Sequence, residues 1–388
     1  MRRAALILFF LTATLYGQFQ LQTSHTTSDL SAIHALSPQI AWASGAHGTV
    51  LRTTDGGANW QLCPFPLSAR NLDFRGIYAF DADTAIVMSS GHGPLSRLYR
   101  TTDGCKTWKL LFTNPDKDNY FTAIRFRNRE QGVLLGSPTD HAFAVRLTFD
   151  GGSRWEFQSL QPAEDLKGET TFAASNSTLM LLDNDAGYRA FCTGGLGGPR
   201  LISFSSKIGA TTSHVPGSAA PAHSTVSFSR DLHGERFKLR GHPRATTGCF
   251  SIAKNTNNGT TVAVGGDPQS PDSHIDTAWT TDLIDYRPTD PSLFHPAQTP
   301  PRGHRTSVAF DPATNTFITV GPNGTDISRD DGRNWRPLTP PEPPTPTNPT
   351  THKPTPPNTD KNWTALSLPF AVGPNGRIGK LTPTALKP

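Results

Sequence analysis

Four charged residues stand near the starts of predicted strands at comparable places in the chain: Arg75 in D-F-R-G-I, Arg125 in T-A-I-R-F, Glu169 in G-E-T-T-F and Arg305 in G-H-R-T-S-V. An arginine guanidinium binds a carboxylate or another anion through paired hydrogen bonds. If successive strands bring these side chains around one opening, they form an anion-binding site. The alternative is that each is a solvated or salt-bridged residue at a strand end. No other set of residues in the sequence suggests a binding site.

Motifs that mark common catalytic and metal sites are absent from the sequence. It contains no G-x-S-x-G, no H-E-x-x-H, no phosphate-binding glycine loop and no C-x-x-C, and its 13 histidines are dispersed. The string V-A-V-G-G-D ends a predicted strand, and no helix pattern follows it. We therefore nominate no catalytic residue, no metal ligand and no cofactor.

A repeated turn pattern must position the charged side chains. The pattern Thr/Ser-x-Asp-x-Gly-x-x-Trp occurs three times in full and once with Cys105 in place of the glycine. In such a turn the Asp accepts hydrogen bonds from backbone amides, the Gly supplies a positive φ, and the Trp is an apolar plug at the start of the next strand. The pairs are Asp55 with Trp60, Asp103 with Trp108, Asp150 with Trp155, and Asp330 with Trp335; weaker copies without the Trp contain Asp231 and Asp282.

The turns recur at a regular spacing. Successive Asp positions, weaker copies included, are 48, 47, 81, 51 and 48 residues apart. Each period holds several short strand-like runs that end in Gly, Asn or Asp turns, as in a four-stranded propeller blade. A ring of blades buries both faces of each sheet, which an isolated blade cannot do. Six turns and the strand-like stretch 363–381 predict an all-β, seven-bladed β-propeller whose last blade is completed by residues 19–26.

The turn pattern resembles the Asp-box, or BNR repeat, of sialidase-type β-propellers. The wider strings R-T-T-D-G-G-A-N-W and V-G-P-N-G-T-D-I-S-R-D-D-G-R-N-W are similar to exported bacterial propellers related to the photosystem II stability and assembly factor. The resemblance covers most of residues 30–388. It implies that the Asp and Trp residues of the turns are structural and lie on the outer rim. It also implies that a binding site would lie at the mouth of the central channel.

Sialidases offer an enzymatic comparison within the same resemblance. Their pattern requires an arginine triad, a Tyr–Glu pair, an acidic Asp and an F/Y-R-I-P motif. The nearest string here, F-R-G-I at 74–77, departs at its third residue, and the whole sequence contains only six tyrosines. A retaining glycosidase needs two placed catalytic groups, and no convincing pair can be named. A sialidase-type glycoside hydrolase with a degenerate site therefore stays an alternative, as does a glycan- or anion-binding module.

Residues 1–17 have the pattern of a secretory signal peptide. Two arginines, Arg2 and Arg3, precede an apolar run, and Gly17 is a small residue at a plausible cleavage site. The alternative is an uncleaved anchor, but the run is shorter than the roughly 20 residues that a membrane span needs. The pattern predicts export to the periplasm or the outside, with residues 18–388 folding as a single propeller.

Composition fits an exported β protein. Only 17% of the residues are charged, whereas Gly and Pro number 34 each, which suits many short strands. The formal net charge of +5 is mild, and its Lys and Arg are scattered, so the sequence does not favour nucleic-acid binding. We expect a monomer.

Two segments interrupt the repeat. Residues 205–224, rich in Ser, Ala, Pro and Gly, predict a flexible surface insertion in the fourth blade. Residues 337–360 contain P-P-E-P-P-T-P-T-N-P-T, which favours polyproline II and excludes sheet pairing. We interpret this Pro-rich tract as a spacer before the last blade. A docking motif for a proline-binding partner is the alternative.

Four cysteines would meet an oxidising compartment after export. They are Cys63, Cys105, Cys192 and Cys249, and four cysteines allow three pairings. Cys192 and Cys249 fall in neighbouring predicted blades, which makes them a candidate bridge. The alternative is that all four are buried free thiols.

Together these features predict an exported, non-catalytic propeller that binds a protein partner. The resemblance implies a role in holding an immature membrane-protein subunit during assembly. A glycan or a small anion is the alternative ligand, and Arg75, Arg125, Glu169 and Arg305 are the candidate residues at the channel mouth.

Overall fold

The computed structural model describes most of the chain after residue 17. The described residues are 18–139, 142–161, 166, 168–181, 189–205, 208–211, 225–228, 231–281, 293–338, 359–382 and 385–386. The predicted signal peptide, residues 1–17, lies outside them. Within the described residues the regular structure is strands and two short 3-10 helices, Leu67–Ala69 and Gly93–Leu95. No helix found there is long and apolar enough to cross a membrane.

The strands are short and are numbered here in chain order. The first are β1 (Phe19–Gln22), β2 (Leu30–Ala35), β3 (Ala41–Gly45), β4 (Val50–Thr53), β5 (Gln61–Leu62), β6 (Phe74–Ala79), β7 (Ala85–Ser89), β8 (Arg97–Thr101), β9 (Lys109–Thr113), β10 (Phe121–Phe126), β11 (Gly132–Pro138), β12 (Phe143–Thr148) and β13 (Glu156–Gln161). The middle strands are β14 (Glu169–Thr170), β15 (Leu179–Leu181), β16 (Arg189–Gly195), β17 (Arg200–Ser205), β18 (Ile208–Thr211), β19 (Thr225–Phe228), β20 (Asp231–Lys238), β21 (Gly248–Lys254), β22 (Thr261–Gly266), β23 (Ala278–Thr281) and β24 (Phe294–Pro296). The last are β25 (Ser307–Asp311), β26 (Thr316–Gly321), β27 (Gly324–Ser328), β28 (Arg336–Pro337), β29 (Ala365–Ser367), β30 (Phe370–Val372) and β31 (Ile378–Leu381).

Four-stranded antiparallel sheets are the repeated unit. The sheets β2–β3–β4–β5, β6–β7–β8–β9 and β25–β26–β27–β28 pair in sequence order. A fourth has the order β1–β31–β30–β29, with Phe19 opposite Leu381, so the first strand of the chain pairs with the last. Strands β10 to β24, except β18 and β19, belong to one larger sheet, in which β10–β13 and β21–β24 repeat the same order. The predicted pairing of the two ends of the chain is therefore confirmed.

The core lies between the sheets, because their faces pack on one another. The second strands β3 (Ala41–Gly45) and β7 (Ala85–Ser89) are buried along their whole length. The fourth strand β5 (Gln61–Leu62) is exposed, and β9 (Lys109–Thr113) is exposed or half-buried. Strands buried on both faces carry small and apolar residues throughout instead of alternating polar and apolar ones. This explains why A-W-A-S-G and A-I-V-M-S read as continuous apolar runs.

The first strands of the sheets form a closed circuit. β2 contacts β6, β6 contacts β10, β10 contacts β15, β15 contacts β21, β21 contacts β25, β25 contacts β29, and β29 contacts β2. The circuit surrounds a central channel. We call the end of the sheets at which these strands begin the upper end, and the opposite end the lower end.

Each Thr/Ser-x-Asp turn joins the third and fourth strands of a sheet at the lower end. In the first, the Thr53 hydroxyl accepts a hydrogen bond from the Gly57 amide (2.9 Å), and Asp55 accepts one from the Asn59 amide (2.9 Å). Hydrogen bonds from Asn59 lower the pKa of Asp55 to about 2. The turns at Asp103, Asp150 and Asp330 repeat this hydrogen bonding.

The Trp of each turn packs against the preceding sheet. Trp60 meets Phe370 edge-on, with ring centroids 5.8 Å apart, and Trp155 packs on the cluster that contains Ile86 and Leu98 of the sheet β6–β9. Trp335 lies in a cluster with Val262, and Trp108 packs on the cluster that contains Trp42. The four indoles thus occupy spaces between neighbouring sheets.

Two disulfides tie successive repeats of the chain together. Cys192 in β16 bonds to Cys249 in β21, with Cα atoms 5.1 Å apart, as the candidate bridge predicted. Cys63 bonds to Cys105, with Cα atoms 5.5 Å apart. Cys105 occupies the glycine position of its turn with φ at 67°, a region that favours glycine. The cysteine thus replaces the glycine and ties its turn to the preceding sheet.

Three sequence expectations differ from the structure. Asp231 begins β20 and does not lie in a turn between paired strands, because the β18–β19 hairpin intervenes. The same hairpin gives part of the predicted flexible insertion, residues 208–211, a regular structure. Pro337 belongs to β28, so the Pro-rich tract begins later than predicted; residues 339–358 lie outside the described part, as does Asp282.

Candidate functional site

A segment of the chain crosses the central channel. Residues 171–178, the crossing segment, enter the circuit before β15. The Asn176 side chain accepts a hydrogen bond from the Ile124 amide in β10 (2.9 Å) and donates one to the Ile77 carbonyl in β6 (3.1 Å). Asn176 is buried and adopts a positive φ of 60°. One side chain therefore joins two strands of the circuit to the crossing segment.

The other side of the crossing segment reaches the opposite part of the circuit. Ser175 donates to the carbonyl of Thr306, just before β25 (2.7 Å). The Ser177 hydroxyl hydrogen bonds with those of Ser251 (2.7 Å) and Ser307 (3.2 Å). Because β6 and β25 lie on opposite sides of the circuit, the crossing segment spans the channel and joins its two sides through side-chain hydrogen bonds.

Arg75 lies at the upper end, as the second residue of β6. Its Nε donates to Asp73 (2.7 Å), and its Nη1 donates to the carbonyl of Ala173 in the crossing segment (3.2 Å). The side chain is still 40% exposed. Arg75 therefore remains accessible to a ligand that approaches the upper end.

Glu169 lies at the upper end, inside an ion-pair network. Its carboxylate accepts hydrogen bonds from Thr193 (2.6 Å), Arg200 (2.7 Å) and Arg236. The Glu169 side chain is fully buried. Its oxygens are thus engaged by the protein itself.

Arg305 precedes β25 at the upper end and is also internal. Its guanidinium pairs with Asp326 through both Nε and Nη2, and it donates to the His304 carbonyl (2.9 Å). The side chains of Arg305 and Asp326 are 0% and 1% exposed. This arginine holds β27 against the start of β25, and the structure does not bring it together with Arg125.

Arg125 lies in the lower part of the channel with two residues that sequence reasoning missed. His34, Tyr78 and Arg125 are each the fifth residue of the consecutive first strands β2, β6 and β10. The rings of His34 and Tyr78 stack obliquely with centroids 4.5 Å apart. All three side chains are half-buried. The sequence did contain a signal that these residues belong together. They are 44 and 47 residues apart, which is close to the length of one repeat, so they occupy the same position in three successive repeats.

The hydrogen bonding of His34 fixes its tautomer. Its Nδ1 accepts a hydrogen bond from the Ala79 amide (2.8 Å), so a neutral ring carries its proton on Nε2. Burial, together with the charge of Arg125, lowers the pKa of His34 to about 3. His34 is therefore a neutral Nε2–H donor at physiological pH.

Arg125 is a charge without an acidic partner in the described part of the chain. Its Nη1 donates a long hydrogen bond to the Ile124 carbonyl (3.4 Å), and none of the ion pairs between described residues includes it. Burial lowers its pKa to about 10, an effect that Tyr78 opposes. The guanidinium thus stays charged at neutral pH. Shifted pKa values of this kind occur at functional sites and in structural ion-pair networks alike.

Comparisons with known proteins identify the architecture. No protein-family model and no curated protein matches the sequence. A solved structure described as "YCF48 bound to D1 peptide" is 14% identical, covers 95% of this chain and 98% of its own, and has a TM-score of 0.58. YCF48 from Cyanidioschyzon merolae is 17% identical, with coverages of 94% and 98% and a TM-score of 0.57. The chain folds as a β-propeller.

An enzyme shares this propeller architecture less completely. An ancestral GH74 enzyme is 12% identical, covers 82% of this chain and 40% of its own, and has a TM-score of 0.51. At these identities the likeness concerns the fold alone. The geometry of the site must therefore supply the argument about function.

The upper end of the propeller carries exposed apolar side chains. In an antiparallel four-stranded sheet, the loop between the second and third strands and the loop that leads to the next sheet lie at the same end. In this protein that end is the upper end. Leu67, Leu95, Leu196 and Ile275 lie in such connections and are 71%, 52%, 64% and 60% exposed. We call these four residues the upper apolar set. Each of them lies in a different connection, so together they distribute apolar side chains around this end of the propeller.

Acidification is expected to destabilise the propeller through His34. Its folded-state pKa of about 3 lies below the ordinary value of 6.5, so the unfolded chain binds more protons between these values. The neutral ring of His34 therefore contributes fully to the free energy of unfolding above pH 6.5. This contribution decreases as the pH falls, by about 2 kcal/mol between pH 7 and pH 5. Urea unfolding of the wild type and of His34→Gln at both pH values measures this, and the variant should lose about 2 kcal/mol less. Equal losses in the two proteins would contradict the assignment.

Proposed function

We propose that this protein is an exported, non-catalytic, seven-bladed β-propeller that binds another protein and holds it during assembly. The observation that carries the proposal is the fold likeness to YCF48 along nearly the whole chain, because one of those structures contains a bound peptide. The closed circuit of first strands supports the blade count. A signal peptide at 1–17, a periplasmic or extracellular location, a monomeric state and the absence of a cofactor belong to the same proposal.

A binding role fits the charged residues better than catalysis does. The Glu169 carboxylate already accepts three hydrogen bonds. The Tyr120 hydroxyl, also at the upper end, contacts Thr170 and the Thr171 carbonyl, and in the described part of the chain it shares no hydrogen bond with Glu169. A sialidase-like nucleophile needs a Tyr hydroxyl in direct contact with a Glu carboxylate. These contacts therefore favour a scaffold.

The proposed docking surface is the upper end, with the upper apolar set and the accessible Arg75. An extended polypeptide segment of a membrane-protein subunit would place apolar side chains against these leucines. Burial of large apolar side chains contributes most of the affinity at such interfaces. Arg75 would pair with a carboxylate of the segment at the centre of the surface.

A pull-down with matched variants tests the proposal. Mature protein with a C-terminal tag is incubated with membrane and periplasmic extracts of its own source. The test variant is Leu95→Asp with Leu196→Asp, and the control is Leu62→Asp with Leu110→Asp, which are 51% and 47% exposed on outer strands. We expect a membrane-protein partner on the wild type and the control, and at least a roughly tenfold loss on the test variant. Equal capture by both variants, or no specific partner on the wild type, would overturn the proposal.

A further inference from the structure

The strand that closes the propeller begins one residue after the predicted signal-peptide cleavage site. Gln18 follows Gly17 directly. The Gln18 carbonyl accepts a hydrogen bond from the Thr382 amide (2.9 Å), which continues the pairing of β1 with β31. We propose that Gln18 becomes the first residue of the mature chain and that it cyclises there to pyroglutamate. This inference rests on the export that belongs to the proposed function, and it does not depend on the protein partner.

The cyclisation requires only the amine that cleavage creates. The α-nitrogen of Gln18 attacks the Cδ atom of its own side chain, because both atoms belong to one residue and meet without a second reactant. The bond between the α-nitrogen and Cδ forms, and the bond between Cδ and Nε2 breaks. A proton passes from the α-nitrogen to Nε2, which leaves as ammonia. The product is a neutral five-membered lactam, so the mature chain loses the positive charge of its amino terminus.

The structure shows why the first residues of the mature chain matter. The buried Phe19 ring packs against Trp363, with centroids 5.0 Å apart. The Gln22 side chain accepts a hydrogen bond from Trp60 Nε1 (2.9 Å) and donates one to the Gly56 carbonyl (3.1 Å). Strand β1 therefore joins the last sheet of the propeller to the first. Loss of only a few residues from the new amino terminus would open this closure.

The lactam would protect this strand from digestion. Gln18 is the one residue between the new amino terminus and β1. β1 is the outer strand of its sheet, with Leu21 44% exposed, and chain ends are the parts of a fold that open most readily. Aminopeptidases that bind a free α-amine cannot begin on a lactam. The modification therefore preserves the closing strand of a protein that is exposed to extracellular proteases.

The intact mass of the exported protein is the first test. The full chain with a C-terminal tag is purified from the periplasm and medium of its own source and incubated at neutral pH. We expect the mass of residues 18–388 plus the tag, lowered by one ammonia, and a chain that is blocked to stepwise N-terminal degradation. Gln18→Asn is the matched control. It keeps a side-chain amide but is one methylene shorter, so its lactam would be a strained four-membered ring, and its amino terminus should stay free.

The masses also separate the possible failures. A wild-type chain that begins at Gln18 and keeps a free amine after incubation would overturn the inference and leave the proposed export intact. A chain that begins at a different residue after cleavage would do the same. A chain that retains residues 1–17 would overturn the inference and would contradict the proposed signal peptide as well.

Aminopeptidase digestion tests the protective role. In urea below the unfolding transition, strand ends open more often than the whole fold does. A processive aminopeptidase should then remove residues of β1 from Gln18→Asn, whereas the wild type should keep its full length. Removal of the lactam with pyroglutamyl aminopeptidase should make the wild type as susceptible as the variant. Equal shortening of the untreated wild type and Gln18→Asn would overturn the protective role.

Discussion

Trp60→Ala is expected to lower the free energy of unfolding by about 4 kcal/mol, as truncation of a buried large aromatic does. Trp60 is 2% exposed and packs edge-on against Phe370. Its Nε1 donates to Gln22 in β1 (2.9 Å). The indole therefore joins the sheet β2–β5 to the sheet in which the two ends of the chain meet. Its removal leaves a cavity where the ring closes and also removes a partner of β1.

Equilibrium unfolding in urea measures the effect of this change. Leu62→Ala is the matched control, because Leu62 lies two residues away and is 51% exposed. We expect the control to change stability by less than about 0.5 kcal/mol. A Trp60→Ala protein as stable as the control would show that the indole does not fill the space between the sheets. An altered m-value would point to partial loss of the β1–β31 pairing.

Asp326→Asn is expected to cost about 4 kcal/mol, because it leaves Arg305 buried without a counter-charge. Asp326 Oδ2 pairs with Arg305, and its Oδ1 accepts from Arg302 Nε (3.0 Å). The Asp326 side chain is 1% exposed. The amide keeps the shape of the carboxylate but supplies an NH2 group where two guanidinium groups donate. Charge and hydrogen bonding are therefore lost together.

Asp83→Asn is the control for this prediction. Asp83 also pairs with an arginine, Arg52 (2.7 Å), but its side chain is 63% exposed. Exposed pairs contribute at most about 1 kcal/mol, because water screens them. Chemical unfolding of both variants should therefore separate the two pairs by roughly 3 kcal/mol. Similar losses would mean that burial does not control the strength of the Arg305–Asp326 pair.

This contrast changes the interpretation of the charged residues that the sequence singled out. Arg305 and Glu169 are internal partners of Asp326, Arg200 and Arg236. Arg75 is accessible at the upper end, and Arg125 lies in the lower part of the channel. Their similar places in the repeats suggested one ring of ligands. A shift of three residues along a first strand, from Arg75 to Tyr78, is enough to move a side chain from the upper end to the lower part.

The turns show what the sequence by itself determined. The side-chain hydrogen bonds of Thr53 and Asp55 all lie within four residues, and so do those of the other turns. Local chemistry therefore specifies each hairpin, and the spacing of the hairpins specifies the all-β repeat. The pairing of β1 with β31 could be inferred because an open edge would otherwise remain. The Cys192–Cys249 bridge was a candidate because the two residues fall in neighbouring predicted blades, but the sequence left the other pairings and free thiols open.

Only the tertiary structure decided what occupies the channel. Asn176 meets Ile77 across 99 residues of sequence, and Ser175 meets Thr306 across 131. No local sequence pattern predicts such contacts, because they depend on how the sheets are arranged around the central channel. The same reason hid the Cys63–Cys105 bridge and the approach of His34 to Tyr78 and Arg125. Residues close in sequence shape each hairpin of this protein, whereas its candidate sites arise from residues that meet only when the circuit of sheets closes.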